Sequence, residues 1–317
     1  MDRPLIVILE WLADGELAKL QAEFSGCEIV EARTADLREI HLPRAQVTYG
    51  LPALDRLASA QELRWIQLIS AGVPQALCAV ARARGLTVTN LAGLYGPTIA
   101  EHALGLMLML SRNIHLSHRN QDKGLWDRTV SRTMQDLHGK TLAVVGLGNI
   151  GTNIARLARS FGMRVVGCRR TLQPTPFVDQ VFARGDLAAM LGEAEYVAVA
   201  APWTPETDGM LGPNEFRAMK QGAFYINVSR GPVAHEAALL EALQSGHLAG
   251  AGLDVFAVEP LAADHPLWSM PNVVVTPHYS GETVNQSAQP AQRLARNLRA
   301  WLAGKSLEGV VKLELGY

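Results

Sequence analysis

The chain has 317 residues, 48% of them hydrophobic, and a formal net charge of −1 at pH 7. This length accommodates two domains of ordinary size, each with its own core. The balanced charge argues against the basic excess typical of proteins that bind nucleic acid or an anionic membrane surface, and we expect neither as a partner.

Cysteine usage and apolar runs indicate the compartment. Cys27, Cys78 and Cys168 are scattered and odd in number, so neither a disulfide framework nor a C-x-x-C metal spacing is present. The first apolar run breaks at Glu10, too early for a signal peptide, and the run at 103–110 is too short to cross a bilayer. We expect a cytoplasmic protein and predict no metal site.

The first 90 residues alternate short apolar runs with amphipathic segments, which is typical of a parallel sheet wrapped by helices. The predicted strands are Leu5–Leu9, Val47–Tyr49, Leu63–Ser70 and Leu86–Thr89, and the predicted helices are Glu16–Phe24 and Pro74–Arg84. Ser70-Ala71-Gly72-Val73 follows the third strand. A loop of such small residues is either a carboxylate-binding turn of backbone N–H groups or a plain strand-to-helix connection.

A long helix is predicted over Thr98–Leu110, with apolar residues along one face. Glu101 and His102 lie on it without a metalloprotease spacing, and we interpret them as helix-face residues. His115 and His118 are one helical turn apart but have no third ligand nearby in the sequence. We therefore interpret them as a solvated pair rather than a metal site.

The segment from Thr141 to about Phe161 reads as strand, glycine turn and helix. Thr141–Val145 is β-branched and apolar, and it runs into Gly146-Leu147-Gly148-Asn149-Ile150-Gly151, a G-x-G-x-x-G pattern; we expect the helix to begin at the last glycine. The three glycines would permit a tight turn, a close approach to a pyrophosphate and close helix packing. In this setting the pattern predicts a dinucleotide site rather than an ordinary Gly-rich turn.

Further strands are predicted downstream, at Arg164–Gly167, Tyr196–Ala201, Ala223–Val228, Gly252–Phe256 and Val273–Val275, with helices at Asp186–Leu191 and Val284–Ala303. Ligands of open parallel sheets bind beyond the carboxyl ends of the strands. Arg230, Glu259 and His278 each follow such an end. We therefore expect these three side chains to share a site.

The three side chains form a coherent set for carbonyl chemistry. Arg230 would bind a substrate carboxylate through its planar fork of donors. His278 would be the general acid in carbonyl reduction and the base in alcohol oxidation. Glu259 would accept a hydrogen bond from the other ring nitrogen, which fixes the tautomer and favours the imidazolium.

Together these motifs resemble the D-isomer-specific 2-hydroxyacid dehydrogenase family over nearly the whole chain. The matching segments are 146–151, Pro202 with Thr204–Thr207, Asn227–Gly231, Gly252–Phe256 with Glu259-Pro260, and Thr276–His278; Ser70–Val73 and Ala100–His102 resemble the substrate loop and linker helix of the family. The resemblance implies an α/β fold of two doubly wound parallel-sheet domains. A Rossmann-type cofactor domain, residues 95–284, would be inserted in a flavodoxin-like substrate domain, residues 1–94 and 285–317.

The resemblance also implies an activity, an assembly and binding roles. The activity is hydride transfer between NAD(P)H and a small 2-keto acid or D-2-hydroxy acid, with glyoxylate or hydroxypyruvate as leading substrates, in a homodimer formed by the cofactor domains. Ala71 and Gly72 would bind the substrate carboxylate through their backbone, beside Arg230 and His278. Asp254 would contact the nicotinamide carboxamide. The cofactor-binding set is Gly146, Gly148, Asn149, Ile150, Gly151, Arg169, Arg170, Pro202, Thr207, Val228 and Asp254.

Two positions depart from the family pattern. NAD-specific members have an acidic residue at the end of the second strand of the cofactor domain, where this chain has Cys168 followed by Arg169 and Arg170. Two arginines without a carboxylate favour a 2′-phosphate, so we predict that NADP(H) is preferred and that NAD(H) remains a possible coenzyme. Tyr279 replaces the small or aliphatic residue that commonly follows the catalytic histidine, and would either narrow the pocket or pack beneath it.

Other functions share the same architecture. A nucleotide-sensing protein similar to the C-terminal-binding corepressors would not need the complete Arg230, Glu259 and His278 set. A formate dehydrogenase would carry Gln in place of Glu259. A phosphoglycerate-type dehydrogenase would require phosphate-binding charge in the pocket and usually a C-terminal regulatory domain, which we do not expect here.

Overall fold

The computed structural model describes residues 3–283 and 288–315. The chain divides into two compact units, Met1–Tyr95 with Thr283–Tyr317, and Gly96–Glu282. Each unit has a parallel β-sheet with helices packed on it. The predicted start of the last helix, at Val284, lies outside the described residues.

The first unit is built on five parallel strands in the order β2-β1-β3-β4-β5. This is the strand order of flavodoxin-like folds, as the resemblance implies. Its strands are β1 Leu5–Ile8, β2 Glu28–Glu31, β3 Val47–Tyr49, β4 Trp65–Gln67 and β5 Thr87–Thr89; its helices are α1 Glu16–Glu23, α2 Ala35–His41, α3 Gln75–Arg84 and α10 Gln289–Leu302.

Strands β1, β3 and β4 are buried along their whole length because helices cover both faces of the sheet. The last helix, α10, contributes Leu294 and Leu298 to the same apolar cluster as Ile6 and Trp65. The C-terminal segment therefore completes the core that the first 90 residues begin.

The second unit has seven parallel strands in the order β12-β11-β10-β9-β6-β7-β8. Numbered within the unit, the order is 3-2-1-4-5-6 with one strand added, the doubly wound order of dinucleotide-binding folds. The strands are β6 Thr141–Val145, β7 Arg164–Cys168, β8 Gln180–Phe182, β9 Tyr196–Val199, β10 Ala223–Asn227, β11 Leu248–Leu253 and β12 Val273–Val275. The helices are α4 Gly96–Ser111, α5 Ile114–Gln121, α6 Asn149–Ser160, α7 Leu187–Gly192, α8 Pro213–Ala218 and α9 Glu236–Gln244.

Strand β11 begins at Leu248, earlier than the predicted Gly252. Most of its residues are small and have a low strand propensity, so the sequence did not predict a strand there. The structure shows that small residues are needed because α4 packs on this strand. A Cβ on Gly252 would lie 2.9 Å from the Cβ of Leu106, so only a glycine lets α4 pack this closely on the strand. Six further elements were not predicted from the sequence: β2, β8, α2, α5, α8 and α9. Within the described residues, no helix is both long and apolar enough to cross a membrane.

The role of α10 in the first core is testable with two leucines on the same helix. Leu298 is 0% exposed and Leu302 is 48% exposed. We expect Leu298→Ala to lower the free energy of unfolding by about 2–5 kcal/mol, because it leaves a cavity in the core. Leu302→Ala should change it by less than about 0.5 kcal/mol. Urea unfolding followed by tryptophan fluorescence measures both, and equal effects would contradict this packing.

Candidate functional site

The second sheet reverses its strand order between β6 and β9, which are neighbours in space. Crevices at such a switch point, beyond the carboxyl ends of the strands, are where doubly wound folds bind ligands. The predicted glycine turn follows β6 directly, and Arg230 follows β10. The predicted polar residues of this unit therefore lie at one edge of one sheet.

The glycine turn has the shape that the sequence predicts. Gly146 has φ of +99°, and a Cβ there would lie 2.5 Å from the Ala201 nitrogen at the end of β9. A Cβ on Gly151 would collide with the carbonyl oxygen of Gly146. Both glycines are therefore required for the strand, turn and helix to pack as they do.

Helix α6 begins at Asn149 with Gly148 as its N-cap, two residues before the predicted start. The first N–H groups of a helix have no intrahelical acceptor, and they carry the positive end of the helix dipole. A Cβ on Gly148 would meet no atom within 4 Å, so the backbone is open to a ligand here. This open cradle before a 12-residue helix fits the pyrophosphate of a dinucleotide.

The end of β7 is the place where the coenzyme's adenosine ribose is expected. The Cys168 side chain is 4% exposed and packs in the core, and burial raises the pKa of its thiol. The prediction that position 168 faces the ribose is therefore wrong; Arg169, half-buried, is the next residue along. With the Gln173 amide oriented to accept, its oxygen lies 2.8 and 2.9 Å from the Arg169 guanidinium nitrogens.

Asp179, the next acidic residue after β7, is held far along the strand from Cys168. Its carboxylate accepts from Arg159 Nη1 at 2.7 Å and from the backbone N–H of Val165 at 2.8 Å. Val165 is at the amino end of β7, whereas ligands bind at the carboxyl end. Asp179 therefore does not supply the missing ribose acceptor.

The loop after β9 is fastened by one hydroxyl. Thr207 Oγ1 donates to the carbonyl oxygen of Pro202 at 2.6 Å and accepts from the N–H of Thr204 at 2.8 Å. Both bonds fold the Pro202–Thr207 loop back on itself at the carboxyl edge of the sheet. The predicted contacts of Pro202, Thr207 and the buried Val228 with the coenzyme stay predictions.

Arg230 lies just beyond β10, in a loop packed against the segment that follows β11. A Cβ on the adjacent Gly231 would collide with the backbone of Phe256, so a glycine brings the two loops together. The guanidinium donates from Nη1 to the carbonyl oxygen of Ser229 at 2.6 Å, and within the described residues it forms no ion pair. Burial lowers the pKa of Arg230, while the carboxylates of Glu259 and Asp254 act in the opposite direction. The group stays charged at neutral pH.

Glu259 and His278 are in direct contact. Nδ1 of His278 lies 2.6 Å from Oε2 of Glu259. The other carboxylate oxygen, Oε1, accepts from the backbone N–H of Phe256 at 3.0 Å. Both oxygens of Glu259 are therefore engaged, whereas Nε2 of His278 has no hydrogen-bond partner among the described residues.

Asp254 is buried completely at the end of β11 and accepts three hydrogen bonds from the segment that carries His278. Its predicted contact with the nicotinamide carboxamide stays a prediction.

Tyr279 is 44% exposed and meets the ring of His102 edge-on, with 5.6 Å between the ring centroids. Neither His102 nor Thr276, which donates to Asp254, was selected from the sequence as a site residue. Their roles depend on contacts across 174 residues, which no local pattern reveals.

The loop of Ala71 and Gly72 belongs to the first unit and follows β4. Its two carbonyl oxygens are engaged: Ala71 accepts from Asn90 Nδ2, and Gly72 from Ser70 Oγ, both at 2.8 Å. Among the residues that the structure describes, no acceptor meets the N–H groups of Ala71 and Gly72. The loop thus presents two backbone donors, and its predicted binding of a carboxylate stays a prediction.

The interpretation of His115 and His118 as a solvated pair is wrong for His115. This side chain is 7% exposed, its Nδ1 lies 2.8 Å from the carbonyl oxygen of Met109, and burial lowers its pKa. His115 is therefore a core residue at the junction of α4 and α5.

Fold and site together define a dinucleotide-binding protein of the doubly wound α/β class. The model of the D-isomer specific 2-hydroxyacid dehydrogenase family, NAD binding domain, matches residues 104–280, and the chain belongs to this family. The family's relatives are NAD(P)-dependent oxidoreductases.

Two curated relatives and one solved structure show the extent of the similarity. A glyoxylate reductase of Thermofilum pendens is 35% identical over 99% of this chain and 96% of its own length. A D-3-phosphoglycerate dehydrogenase of Mycobacterium leprae is 32% identical over 100% of this chain, but the chain spans only 60% of that relative. A D-isomer specific 2-hydroxyacid dehydrogenase of Xanthobacter autotrophicus, solved in complex with NADPH and MES, is 32% identical, with a TM-score of 0.85 and full coverage of both chains.

Proposed function

We propose that this protein reduces a small 2-keto acid to the D-2-hydroxy acid with a nicotinamide coenzyme, and catalyses the reverse oxidation. The observation that carries the proposal is the 2.6 Å contact of His278 with Glu259, anchored by the N–H of Phe256. An imidazole held in this way at the carboxyl edge of a dinucleotide-binding sheet is suited to proton transfer with a carbonyl oxygen.

His278 exchanges the proton. Because its Nδ1 faces a carboxylate, Nδ1 carries hydrogen and Nε2 is the atom that donates a proton to the carbonyl oxygen during reduction. The negative charge of Glu259 stabilises the imidazolium from which that proton comes. In oxidation the neutral Nε2 accepts the proton of the substrate hydroxyl.

Arg230 binds and polarises the substrate. Its side chain leaves most of its donors unused by the described residues, and its guanidinium fork matches a carboxylate in two parallel bonds. The same positive charge stabilises the negative charge that develops on the carbonyl oxygen. Carboxylate binding by the N–H groups of Ala71 and Gly72 is part of this proposal.

The coenzyme supplies the hydride when bound. The residues that would hold it are the turn of Gly146, Gly148 and Gly151 with the N–H groups of Asn149 and Ile150 for the pyrophosphate. Pro202, Thr207, Val228 and Asp254 complete the proposed set. The chain's own contribution is to place the coenzyme and to present a proton donor.

We propose NADPH as the preferred coenzyme. Arg169 is oriented by Gln173 and by Thr175, whose Oγ1 accepts from Nη1 at 3.2 Å, and Arg170 follows it beyond β7. The nearest acidic residue onward, Asp179, is engaged by Arg159. A site with guanidinium groups and no carboxylate favours a 2′-phosphate over a free ribose hydroxyl. The NADPH found in the Xanthobacter relative supports this choice.

Glyoxylate or hydroxypyruvate is the proposed substrate, supported by the name of the Thermofilum relative. We further propose a cytoplasmic homodimer. The phosphoglycerate-type reaction is the alternative that the mycobacterial relative supports. The other alternative, a nucleotide-sensing protein, has no use for the proton donor that the site presents.

A panel of 2-keto acids, each tested with NADPH and NADH, examines the proposal directly. We expect loss of reduced coenzyme with glyoxylate or hydroxypyruvate, and a D-configured product from hydroxypyruvate, since the product of glyoxylate is achiral. Tight coenzyme binding without turnover of any 2-keto acid would contradict the proposal and favour the sensor. Oxidation of 3-phosphoglycerate in preference to the small acids would favour the phosphoglycerate-type reaction.

The proton-transfer roles are tested at His278 and Glu259. His278→Ala removes the proton donor and should cost roughly 10²- to 10⁴-fold in rate. Glu259→Gln keeps the size of the side chain but removes the charge that faces the imidazole, so we expect a lower kcat for keto-acid reduction. Coenzyme affinity, measured by fluorescence titration, should change much less. Wild-type kinetics in Glu259→Gln would exclude Glu259 as the partner of His278.

Arg230→Lys tests the bidentate clamp. Lys keeps the positive charge but loses the planar fork, so we expect a higher KM and a lower kcat for keto acids. Coenzyme affinity, measured by fluorescence titration, should change much less. Arg217→Lys, on the exposed surface of α8, is the matched control and should behave as the wild type. Wild-type kinetics in Arg230→Lys would remove Arg230 from the substrate site.

The coenzyme preference is tested at position 169, because an Asp at the buried position 168 would disturb the core. A charge-assisted contact contributes about 1.5–3 kcal/mol, so the wild type should prefer NADPH by about tenfold or more in kcat/KM. Arg169→Gln should reduce the preference and Arg169→Asp should reverse it. Arg164→Gln, at the opposite end of β7, is the control and should leave it unchanged. Equal use of both coenzymes by the wild type would refute the proposal.

A further inference from the structure

The backbone at His278 adopts an unusual conformation. Its φ is +54°, in the left-handed region that non-glycine residues rarely adopt. Such a conformation is unfavourable and persists only where the surroundings enforce it. The turn of residues 276–280, which we name the histidine turn, therefore needs a clamp.

Asp254 supplies the first part of the clamp. Its Oδ1 accepts from the hydroxyl of Thr276 at 2.6 Å and from the N–H of Tyr279 at 3.2 Å, and its Oδ2 accepts from the N–H of Ser280 at 3.1 Å. These donors lie on both sides of His278 in the sequence. The carboxylate is 0% exposed, so its bonds are not exchanged with solvent. It thus draws the two ends of the histidine turn together.

His102 supplies the second part, from helix α4. Its Nε2 lies 3.0 Å from Thr276 Oγ1 and 3.9 Å from Asp254 Oδ1. Thr276 has a single hydroxyl hydrogen, and that hydrogen is donated to Asp254. The oxygen of Thr276 therefore accepts, and Nε2 of His102 is the donor. Burial lowers the pKa of His102, and the opposing effect of the Asp254 charge is smaller. The imidazole is therefore neutral, with its hydrogen on Nε2.

We propose that His102 and Thr276 are positioning residues for the catalytic histidine: His102 orients Thr276, Thr276 orients Asp254, and Asp254 holds the turn that presents His278. The inference rests on the proposed function, since it assigns His278 the proton donor's role. Without the chain of bonds the turn relaxes toward an ordinary backbone conformation, and Nε2 of His278 moves away from the carbonyl oxygen. A displacement of about 1 Å is enough to cost roughly 10²-fold in rate.

Two pairs of variants separate the hydrogen bonds from the packing. Thr276→Val removes the hydroxyl at nearly constant volume, and Thr276→Ser retains it. His102→Leu removes the donor, and His102→Gln places an amide N–H at the reach of Nε2. We expect Val and Leu to lower kcat for keto-acid reduction by about 10- to 100-fold. The Ser and Gln variants should recover most of the loss.

A readout other than activity is the hydrogen exchange of the Tyr279 and Ser280 amides. Both donate to Asp254, so Thr276→Val and His102→Leu should accelerate their exchange, while the amides of β6 exchange as in the wild type. The two losses in kcat should also be non-additive, because both changes break the same chain of bonds. The double variant should thus be little worse than the worse single one.

The proposal is overturned if Thr276→Val matches Thr276→Ser in kcat and in exchange. It is also overturned if the two losses add fully, or if kcat falls only in proportion to a loss of thermal stability. If the wild-type protein reduces no 2-keto acid, the proposed function fails, and the exchange measurement still decides whether His102 and Thr276 hold the histidine turn.

Discussion

The parallel course of all seven strands in the second sheet is the constraint on which the site depends. Parallel strands end at a common edge, so residues far apart in sequence follow neighbouring strand ends. Arg230 follows β10, Asp254 follows β11 and His278 follows β12, and these three strands are consecutive in the sheet. Antiparallel pairing of β11 would have placed Asp254 at the opposite edge, away from the turn that it clamps.

Charge balance explains why a buried carboxylate and a half-buried guanidinium coexist in this site. Burial alone disfavours both ionised groups. Asp254 compensates by accepting hydrogen bonds from two N–H groups and one hydroxyl, and its charge supports that of Arg230. Each acidic group of the site therefore stabilises a positive one without a direct ion pair between Arg230 and either carboxylate in the described residues. That separation leaves the guanidinium fork available to a substrate.

The fold class, the glycine turn and the pairing of Glu259 with His278 could be predicted because each depends on a local pattern. A β-branched run before G-x-G-x-x-G specifies its own turn, and a polar residue after a strand is placed by the strand. The start of α6 was misplaced by two residues because the N-cap is a glycine with no side-chain signal. The predicted strand β11 was too short because Gly252 is needed for packing against Leu106 of a distant helix, which no local pattern shows. The same limit applies to Cys168, whose burial depends on the side of β7 from which its side chain projects.

The bond from Phe256 N–H to Glu259 has a consequence for reorganisation during the reaction. The carboxylate is fixed by its own loop before any substrate arrives, so it does not turn when His278 gains or loses a proton. Water, by contrast, would have to reorient around each change of charge on the imidazole. A charge that is already in place lowers the reorganisation energy for proton transfer in both directions. The bond from Phe256 therefore serves reduction and oxidation alike, because the same fixed carboxylate faces the imidazole before and after the proton moves.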